Sequence, residues 1–329
     1  MGRVITVWGS PGSGKSMLCC MLARVLTRDK SKAVIINADP CVPMIPVWLP
    51  GQAVPENASI GQVLSSVEID AALAASHVTI LQSWPYVGVM GYAAGENPLS
   101  YPELKYELAL ELIRVMETIV DYVILDCSPQ LTNVFTPAAI ESGNLVLRIL
   151  TPDLKGIHYL QASKPLLMDS RFRFGEHLTF AGQARPFHAL EEMGHLIGKW
   201  DGLLPYSKEI NRCAEEGSMF GAVKYCNSRY LASLNRILEE LEKLEEAEEE
   251  QEEESAGEEA QENDGASAQD SQQEAETSDT GEGTEESTEE NSEASSDGGA
   301  ASETGDFQGL EVQDEIEIEL EEGQGVAGG

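Results

Sequence analysis

Eight residues near the start of the chain have the types and spacing of a phosphate-binding loop. The stretch GSPGSGKS, Gly9 to Ser16, fits the pattern G-x-x-x-x-G-K-[ST]. Its glycines let backbone N–H groups approach phosphate oxygens, and a helix that begins near Lys15 offers its unpaired N–H groups to the same anion. The pattern predicts that Lys15 binds the β- and γ-phosphates of a nucleotide and that the Ser16 hydroxyl binds Mg²⁺.

Two aspartates follow apolar, strand-like segments and are the predicted partners of this loop. Asp39 comes after AVIIN, residues 33–37, and Asp126 ends YVILD, residues 122–126. A carboxylate at the carboxyl end of a strand beside a phosphate loop can hold Mg²⁺ through water or orient an attacking water. An ordinary loop N-cap is the alternative role for each aspartate. We predict catalytic roles for Lys15, Asp39 and Asp126, and magnesium contacts for Ser16, Asp39 and Asp126.

Apolar segments of strand length alternate with segments of helical apolar spacing along most of the chain before Lys243. Strands buried on both faces have this continuous apolar character, and the alternation is typical of a parallel sheet covered by helices. The predicted fold class is therefore α/β, a three-layer P-loop NTPase domain with a mostly parallel sheet. The predicted strands are 4–8, 33–37, 78–81, 87–90, 122–126, 145–150 and a segment from His177.

Helix ends show capping signals at two places. Ser59 is the predicted N-cap of a short helix, and Ser100 with Glu103 has capping-box spacing ahead of a longer one. A last helix, over about 230–244, has a leucine stripe that predicts packing against the domain rather than a coiled coil, because the stripe is short. The stripe consists of Leu231, Leu234, Leu238 and Leu241.

The chain has 329 residues and a net charge of −36, which is unevenly distributed. All 21 Lys and Arg residues lie at or before Lys243, and 32 of the 57 Asp and Glu residues follow it, so residues 1–243 carry about −4. A chain of that length can bury one core, whereas the acidic remainder cannot. We predict a P-loop nucleotide-binding domain over 1–243, a disordered acidic tail over 244–306, a short interaction peptide over 307–322 and a flexible end over 323–329.

The segment 307–322 differs from the rest of the tail because apolar residues return. Ile316, Ile318 and Leu320 alternate with glutamates, which is the period of a strand. Two interpretations stay open: a compositionally biased terminus without function, and a tethered peptide that adds a strand to the sheet edge of a partner.

Several absences narrow the class of protein. The sequence contains no run of about eighteen apolar residues, and no basic segment followed by an apolar run at its start. We therefore expect no integral membrane segment, no signal peptide and a cytoplasmic location. The six cysteines form no CxxC pair, so we expect them to be small packing residues rather than metal ligands.

The loop and the strand ends together resemble the ParA/MinD family of P-loop ATPases. AVIINADP, from Ala33, is similar to the family's second strand ending in D-x-D-P, and DYVILDCSP, from Asp121, is similar to its DYIIIDCPP. The segments LRILTPDLKGIHYLQ at 147–161 and LLPYSKEINRCAEEG at 203–217 extend the resemblance. It covers most of residues 1–225 and none of the tail.

This resemblance implies ATP and Mg²⁺ as cofactors and a homodimer that encloses ATP between two protomers. It also implies that Pro205 and Tyr206 border the adenine, with Gln183 as a further candidate. Together with the loop, the predicted nucleotide-binding residues are Gly9, Ser10, Pro11, Gly12, Ser13, Gly14, Lys15, Ser16, Met17, Pro205 and Tyr206.

Two departures from the family's pattern bear on activity. Ser10 occupies the place of a signature lysine that reaches the partner's phosphates in active relatives, and Pro11 beside it has no N–H to donate. Asn37 stands where many relatives have the first aspartate of the strand-2 motif. We expect nucleotide binding to persist and hydrolysis and dimerisation to be weakened, because a cation at the transferring phosphate is missing.

The predicted function is a cytosolic Mg-ATP-binding, weakly hydrolysing ATPase that positions or regulates a larger assembly such as a pilus, secretion or conjugation machine. TadZ- and CpaE-like proteins, which also lack the signature lysine, are the subgroup that this hypothesis names, and they imply recruitment by protein partners to a pole or envelope complex. A DNA-partitioning ATPase and a P-loop kinase are the alternatives. Against a kinase, no Lys or Arg lies between Lys32 and Lys105.

DNA is the competing partner in the partition hypothesis. Two small basic clusters are the candidate contacts, although solvated helix ends and loops are the plainer interpretation of both. The acidic tail would compete for either cluster and repel a phosphate backbone. The clusters are Arg24, Arg28, Lys30 and Lys32, and Arg171 with Arg173.

Overall fold

A computed structural model describes residues 1–51, 58–101, 103–220, 229–244 and 246–247. The predicted acidic tail, the peptide at 307–322 and the end at 323–329 lie outside the described residues, apart from residues 244, 246 and 247.

Eight strands form one sheet, and all neighbouring strands are parallel except the edge strand β3, which is antiparallel to β4. Their order across the sheet is β3-β4-β2-β5-β1-β6-β7-β8. The strands are β1 (Arg3–Gly9), β2 (Ala33–Asn37), β3 (Thr79–Leu81), β4 (Trp84–Gly91), β5 (Tyr122–Asp126), β6 (Leu145–Leu150), β7 (Leu178–Ala184) and β8 (Gly202–Pro205).

Helices cover both faces of this sheet. The helix α10 follows the last strand and ends the described part of the domain. The helices are α1 (Lys15–Leu26), α2 (Ile45–Trp48), α3 (Ile60–Leu64), α4 (Ala71–Ser76), α5 (Tyr106–Glu117), α6 (Phe135–Ser142), α7 (Leu154–Ser163), α8 (Leu190–Ile197), α9 (Lys208–Glu215) and α10 (229–244).

Two apolar cores, one on each face, make the domain three layers thick. Helices α1, α2, α9 and α10 pack on one face, and α3, α4, α5, α6 and α7 pack on the other. The central strands β2 and β6 are buried along their whole length, as the continuous apolar runs predict. The predicted α/β fold with a mostly parallel sheet is confirmed. Among the described residues, no helix combines the length and apolar character needed to cross a membrane.

The strand register brings the predicted site together. Asp126 at the end of β5 is the register partner of Val7 in β1 and of Asn37 in β2. Gly9, which ends β1 and begins the phosphate loop, pairs with Ile149 of β6. The carboxyl ends of four adjacent parallel strands therefore meet at one edge of the sheet, where open α/β folds bind ligands.

Local predictions are confirmed at one helix start and wrong at another. The Ser59 side chain caps α3 by accepting the Gly61 N–H at 3.1 Å. Ser100 does not cap α5, which begins after Lys105. The Ser100 hydroxyl instead accepts the Asn97 N–H at 3.0 Å, because the loop closes a turn at this point. The short edge strand β8 was not predicted, because its few apolar residues give no period.

Helix α10 packs against the domain as expected, but its buried stripe is rotated from the predicted one. Leu234 and Leu241 of the predicted stripe are buried, and Tyr230 and Ile237 are buried beside them, whereas Leu231 is 37% exposed. Leu238 is partly buried against the same core. The buried positions follow one another at steps of four and three residues, and they face the core of the domain.

Leu234→Ala should lower the free energy of unfolding by about 2–5 kcal/mol, because it leaves a cavity in a packed core. Leu231→Ala, on the exposed face of the same helix, should change it by at most about 0.5 kcal/mol. Urea unfolding of the full chain measures both. Equal effects of the two variants would contradict the packing of α10.

Candidate functional site

A cleft of about 550 Å³ opens at the carboxyl edge of the sheet, above the start of α1. Most of the residues predicted from the sequence line it: Pro11, Gly12, Ser13, Gly14, Lys15, Ser16, Met17, Asp39, Asp126, Gln183 and Tyr206. Gly9, Ser10 and Pro205 do not line it. The structure thus brings the loop, both aspartates and one edge of the predicted base site into a single concave surface.

Two glycines allow the loop to adopt this shape. Gly9 has φ 140°, and a Cβ placed on it would lie 1.9 Å from the carbonyl oxygen of Ile149, so only glycine fits against β6. Gly14, the residue before α1, has φ 92°, in the left-handed region that side chains disfavour. The loop is therefore held close to the sheet and turned so that α1 begins with its free N–H groups at the cleft.

The Lys15 ammonium is buried and folds back on its own loop. It donates to the carbonyl oxygens of Gly9 and Ser10 at 3.1 and 3.0 Å. Burial lowers the pKa of Lys15 from its ordinary value of 10.5, and the charge of Asp126 opposes this shift by raising it. Lys15 belongs to none of the salt bridges seen among the described residues, so its charge is free to pair with an anion.

Ser13 carries a second unsatisfied group. Its hydroxyl oxygen is buried and has no hydrogen-bond partner among the described residues. Buried hydroxyls are nearly always paired, so this hydroxyl in the loop that lines the cleft is suited to bond to a phosphate oxygen. Lys15 and Ser13 together fit a phosphate group that accepts from both.

The Asp126 carboxylate lies at the bottom of the cleft with 1% of its surface exposed. Asn37 donates its amide N–H to Asp126 at 2.8 Å and accepts the Met44 N–H at 3.2 Å. Burial raises the pKa of Asp126, and hydrogen bonding from Ser16 and the charge of Lys15 lower it. Asn37 therefore orients the carboxylate that a second aspartate at this position would repel.

Asp39 lies at the rim, where it shapes the loop after β2. Its carboxylate accepts the N–H groups of Cys41 and Val42 at 2.9 and 3.4 Å, as an aspartate does in a tight turn. The Asn133 amide, from the segment after β5, donates to the carbonyl of Ala38 at 2.9 Å. The loops that carry Asp39 and Asp126 are thus joined directly.

The far end of the cleft has planar groups on which a nucleobase can stack and amide groups that can form hydrogen bonds with it. The guanidinium of Arg185 lies 4.3 Å from the ring centre of Tyr206, and the Asn211 amide donates to Gln183 at 3.2 Å. Pro205 ends β8 directly before Tyr206 and does not line the cleft. Sequence reasoning missed Arg185 and Asn211, since an arginine in a loop and an asparagine in an amphipathic helix carry no motif. It also missed Val42, Met44, Cys127 and Pro129 on the cleft wall.

The residues fit magnesium as a phosphate-bound ion. The described residues contain no group of three carboxylate, His or Cys side chains able to hold a metal by themselves. Mg²⁺ is commonly held by one or two protein oxygens together with substrate phosphates and waters. Ser16 and Asp126 both line the cleft beside the loop, so one hydroxyl and one carboxylate are available to such an ion.

Three arginines of the predicted basic clusters contact other residues of the same chain. The Arg24 guanidinium lies 4.8 Å from the ring centre of Trp84. Arg171 pairs with Glu141 at 3.5 Å, and Arg173 donates to the carbonyl of Glu141 at 3.5 Å. These three arginines stabilise the fold, which weakens their candidacy as DNA contacts.

Comparison with known proteins identifies solved structures that have a similar fold. No protein-family profile and no curated protein sequence matches the chain. A ParA family ATPase from Chlorobium tepidum superposes with a TM-score of 0.59 and 15% identity, covering 72% of this chain and 99% of that one. The septum site-determining protein MinD of Pyrococcus horikoshii, complexed with Mg-ADP, gives 0.56 and 16%, covering 74% and 97%.

A putative plasmid partition protein from Borrelia burgdorferi, bound to AMPPNP, gives a TM-score of 0.58 at 16% identity, covering 74% of this chain and 99% of that one. At such identities the likeness shows the fold. The chain has the α/β fold of MinD- and ParA-type ATPases, as the sequence resemblance implies.

Asp126→Asn should stabilise the unliganded protein at neutral pH. The folded-state pKa of Asp126 lies above its ordinary value of 3.8, so the wild type loses stability as pH rises from that value through the raised pKa. The variant lacks this ionisation, and its advantage in free energy of unfolding should grow over that window. Urea unfolding at pH 4 and pH 7 measures it, with the exposed Glu192→Gln as control. An advantage that shrinks with rising pH would contradict the raised pKa.

Proposed function

We propose that this protein is a Mg-ATP-binding ATPase of the ParA/MinD type with weak hydrolysis. The observation that carries the proposal is the buried Lys15 ammonium. Among the residues that the structure describes, its hydrogen-bond acceptors are two loop carbonyls, and the cleft that it lines also holds a buried hydroxyl without a partner there and a buried carboxylate. The solved structures with this fold that are complexed with Mg-ADP or AMPPNP support the same ligand.

Each residue then has a distinct task. Lys15 leaves its two carbonyl acceptors and binds the β- and γ-phosphates, while the N–H groups at the start of α1 bind the same phosphates. Ser16 and Asp126 would hold Mg²⁺, and the bound ion would neutralise charge on the phosphates. Asp39, at the rim, orients the attacking water. In hydrolysis the water oxygen would form a bond to the γ-phosphorus while the bond from that phosphorus to the bridging oxygen breaks. ADP would leave, one proton of the water would stay on the phosphate and the other would pass to solvent.

Weak hydrolysis follows from the cleft lining as the structure describes it, whose cations are Lys15 in the loop and Arg185 at the far end. Neither Ser10 nor Pro11 supplies positive charge, and Arg185, which does line the cleft, lies against Tyr206 at the other end. An arginine or lysine at the transferring phosphate typically raises the rate by about 10³–10⁵-fold. The protein therefore acts mainly through its bound state.

A protein of this kind suits a role in positioning or regulating a larger assembly, such as a pilus, secretion or conjugation machine, through protein partners at a pole or envelope complex. A homodimer is part of this proposal.

The partition alternative has the support of one solved neighbour's name, a putative plasmid partition protein, but the intrachain contacts of Arg24 and Arg171 count against a DNA surface.

Lys15→Ala should weaken Mg-ATP binding by about 10- to 100-fold, because hydrogen bonds to charged groups contribute about 1.5–3 kcal/mol. Isothermal titration calorimetry measures the dissociation constant. Lys155→Ala, an exposed lysine of α7, is the matched control and should bind as the wild type does. Unchanged binding in Lys15→Ala would contradict nucleotide binding at the phosphate loop. Brisk wild-type hydrolysis that Lys15→Ala abolishes would contradict weak hydrolysis.

A further inference from the structure

The side chain of Ser10 points away from the cleft and into the protein. It is 1% exposed, and its hydroxyl oxygen accepts the Thr151 N–H at 2.9 Å. The Ser10 N–H donates to the carbonyl of Ile149 at 3.0 Å. The second residue of the phosphate loop is therefore fastened at two points to the end of β6 and the residue that follows it.

This attachment continues into the first turn of α7. The Thr151 hydroxyl donates to the Asp153 carboxylate at 2.9 Å, and the same carboxylate oxygen accepts the Gly156 N–H at 2.8 Å as the N-cap of α7. Thr151 has one hydroxyl hydrogen and donates it to Asp153. The Ser10 hydroxyl is therefore the donor in the longer, 3.4 Å contact between the two hydroxyl groups. An ordered series of hydrogen bonds thus joins the loop to a helix cap.

The same residue also determines where Lys15 lies. The Ser10 carbonyl accepts from the Lys15 ammonium at 3.0 Å, so the backbone that Thr151 fixes is the backbone on which Lys15 rests. A shift of Ser10 moves this acceptor and changes the direction of the loop N–H groups. Loops that bind phosphate depend on such preorganised donors.

We propose that Ser10, Thr151 and Asp153 are positioning residues that hold the phosphate loop in its binding shape within one protomer, so that the cap of α7 sets nucleotide affinity. This inference rests on the proposed function and adds which residues control the nucleotide affinity of that site. Ser10 thus acts within its own protomer and not across a dimer. The chemical ligand of the positioned loop is a nucleoside triphosphate with Mg²⁺.

The test is calorimetric titration of the full chain with Mg²⁺ and AMPPNP. Ser10→Ala and Asp153→Ala should each weaken binding by about 3- to 10-fold, the effect of losing one buried hydrogen bond. The double variant should lose less than the product of the two single losses, because both act on one connected series. Ser10→Thr, which keeps the hydroxyl, should restore most of the affinity.

Matched variants separate positioning from general stability. Asp70→Ala removes an equivalent aspartate N-cap, on α4, where Asp70 accepts the Leu73 N–H at 2.7 Å. It should lower the melting temperature about as much as Asp153→Ala does and leave AMPPNP binding unchanged. Thr151→Val removes the hydroxyl that contacts both Ser10 and Asp153 and keeps the Thr151 N–H that Ser10 accepts. It should weaken binding and provides the test if Ser10→Ala does not fold.

Ser10→Lys should not restore the activity that a signature lysine gives. Its ammonium would enter a buried site that holds the Thr151 N–H, another donor, so we expect weaker AMPPNP binding and no nucleotide-dependent dimer. Sedimentation velocity measures the dimer. Gain of turnover or dimerisation would overturn the positioning role.

The outcomes distinguish this inference from the proposed function. If the wild type binds no AMPPNP, the proposed function fails and this inference fails with it. If the wild type binds and Lys15→Ala does not, but Ser10→Ala, Thr151→Val and Asp153→Ala bind as the wild type does, the proposed function stands and the positioning role is overturned.

Discussion

The constraint on which the site depends is a buried ammonium that, within the described part of the chain, belongs to no salt bridge. Lys15 lies at the edge of the sheet and donates to carbonyl oxygens of its own loop. Burial opposes the charges of Lys15 and Asp126, lowering the pKa of Lys15 and raising that of Asp126. Burying two such charges is costly, and a ligand that carries negative charge together with a divalent cation would offset this cost.

In the parallel sheet, the free-energy cost of burying these two charges falls at one edge. Register sets Asn37 and Val7 beside Asp126, so the loop after β1 and the loop after β2 approach the same carboxylate. Asn133 then joins the second loop to the segment after β5 through the Ala38 carbonyl. The loop after β2 and the segment after β5 are therefore held together beside the carboxylate that the loop after β1 also approaches.

The sequence predicts the parts whose pattern is local. A phosphate loop has a fixed spacing, and buried parallel strands have continuous apolar runs, so the loop, most strands and both aspartates could be placed. The orientation of Ser10 could not, because its partner Thr151 is 141 residues away along the chain. For the same reason Asn37 looked like a lost aspartate, although it donates to Asp126. Ser100 shows the limit of local patterns, since a competing turn with Asn97 uses its hydroxyl.

A crystal structure of the full chain with Mg²⁺ and AMPPNP tests the account most directly. The account predicts the β- and γ-phosphates against the loop, the Lys15 ammonium moved from the carbonyls of Gly9 and Ser10 to the phosphates, and Ser16 and Asp126 facing the ion. The Ser10 hydroxyl should still accept the Thr151 N–H, at about the present 2.9 Å. Nucleotide bound outside the loop, or Ser10 turned into the cleft toward it, would contradict the account.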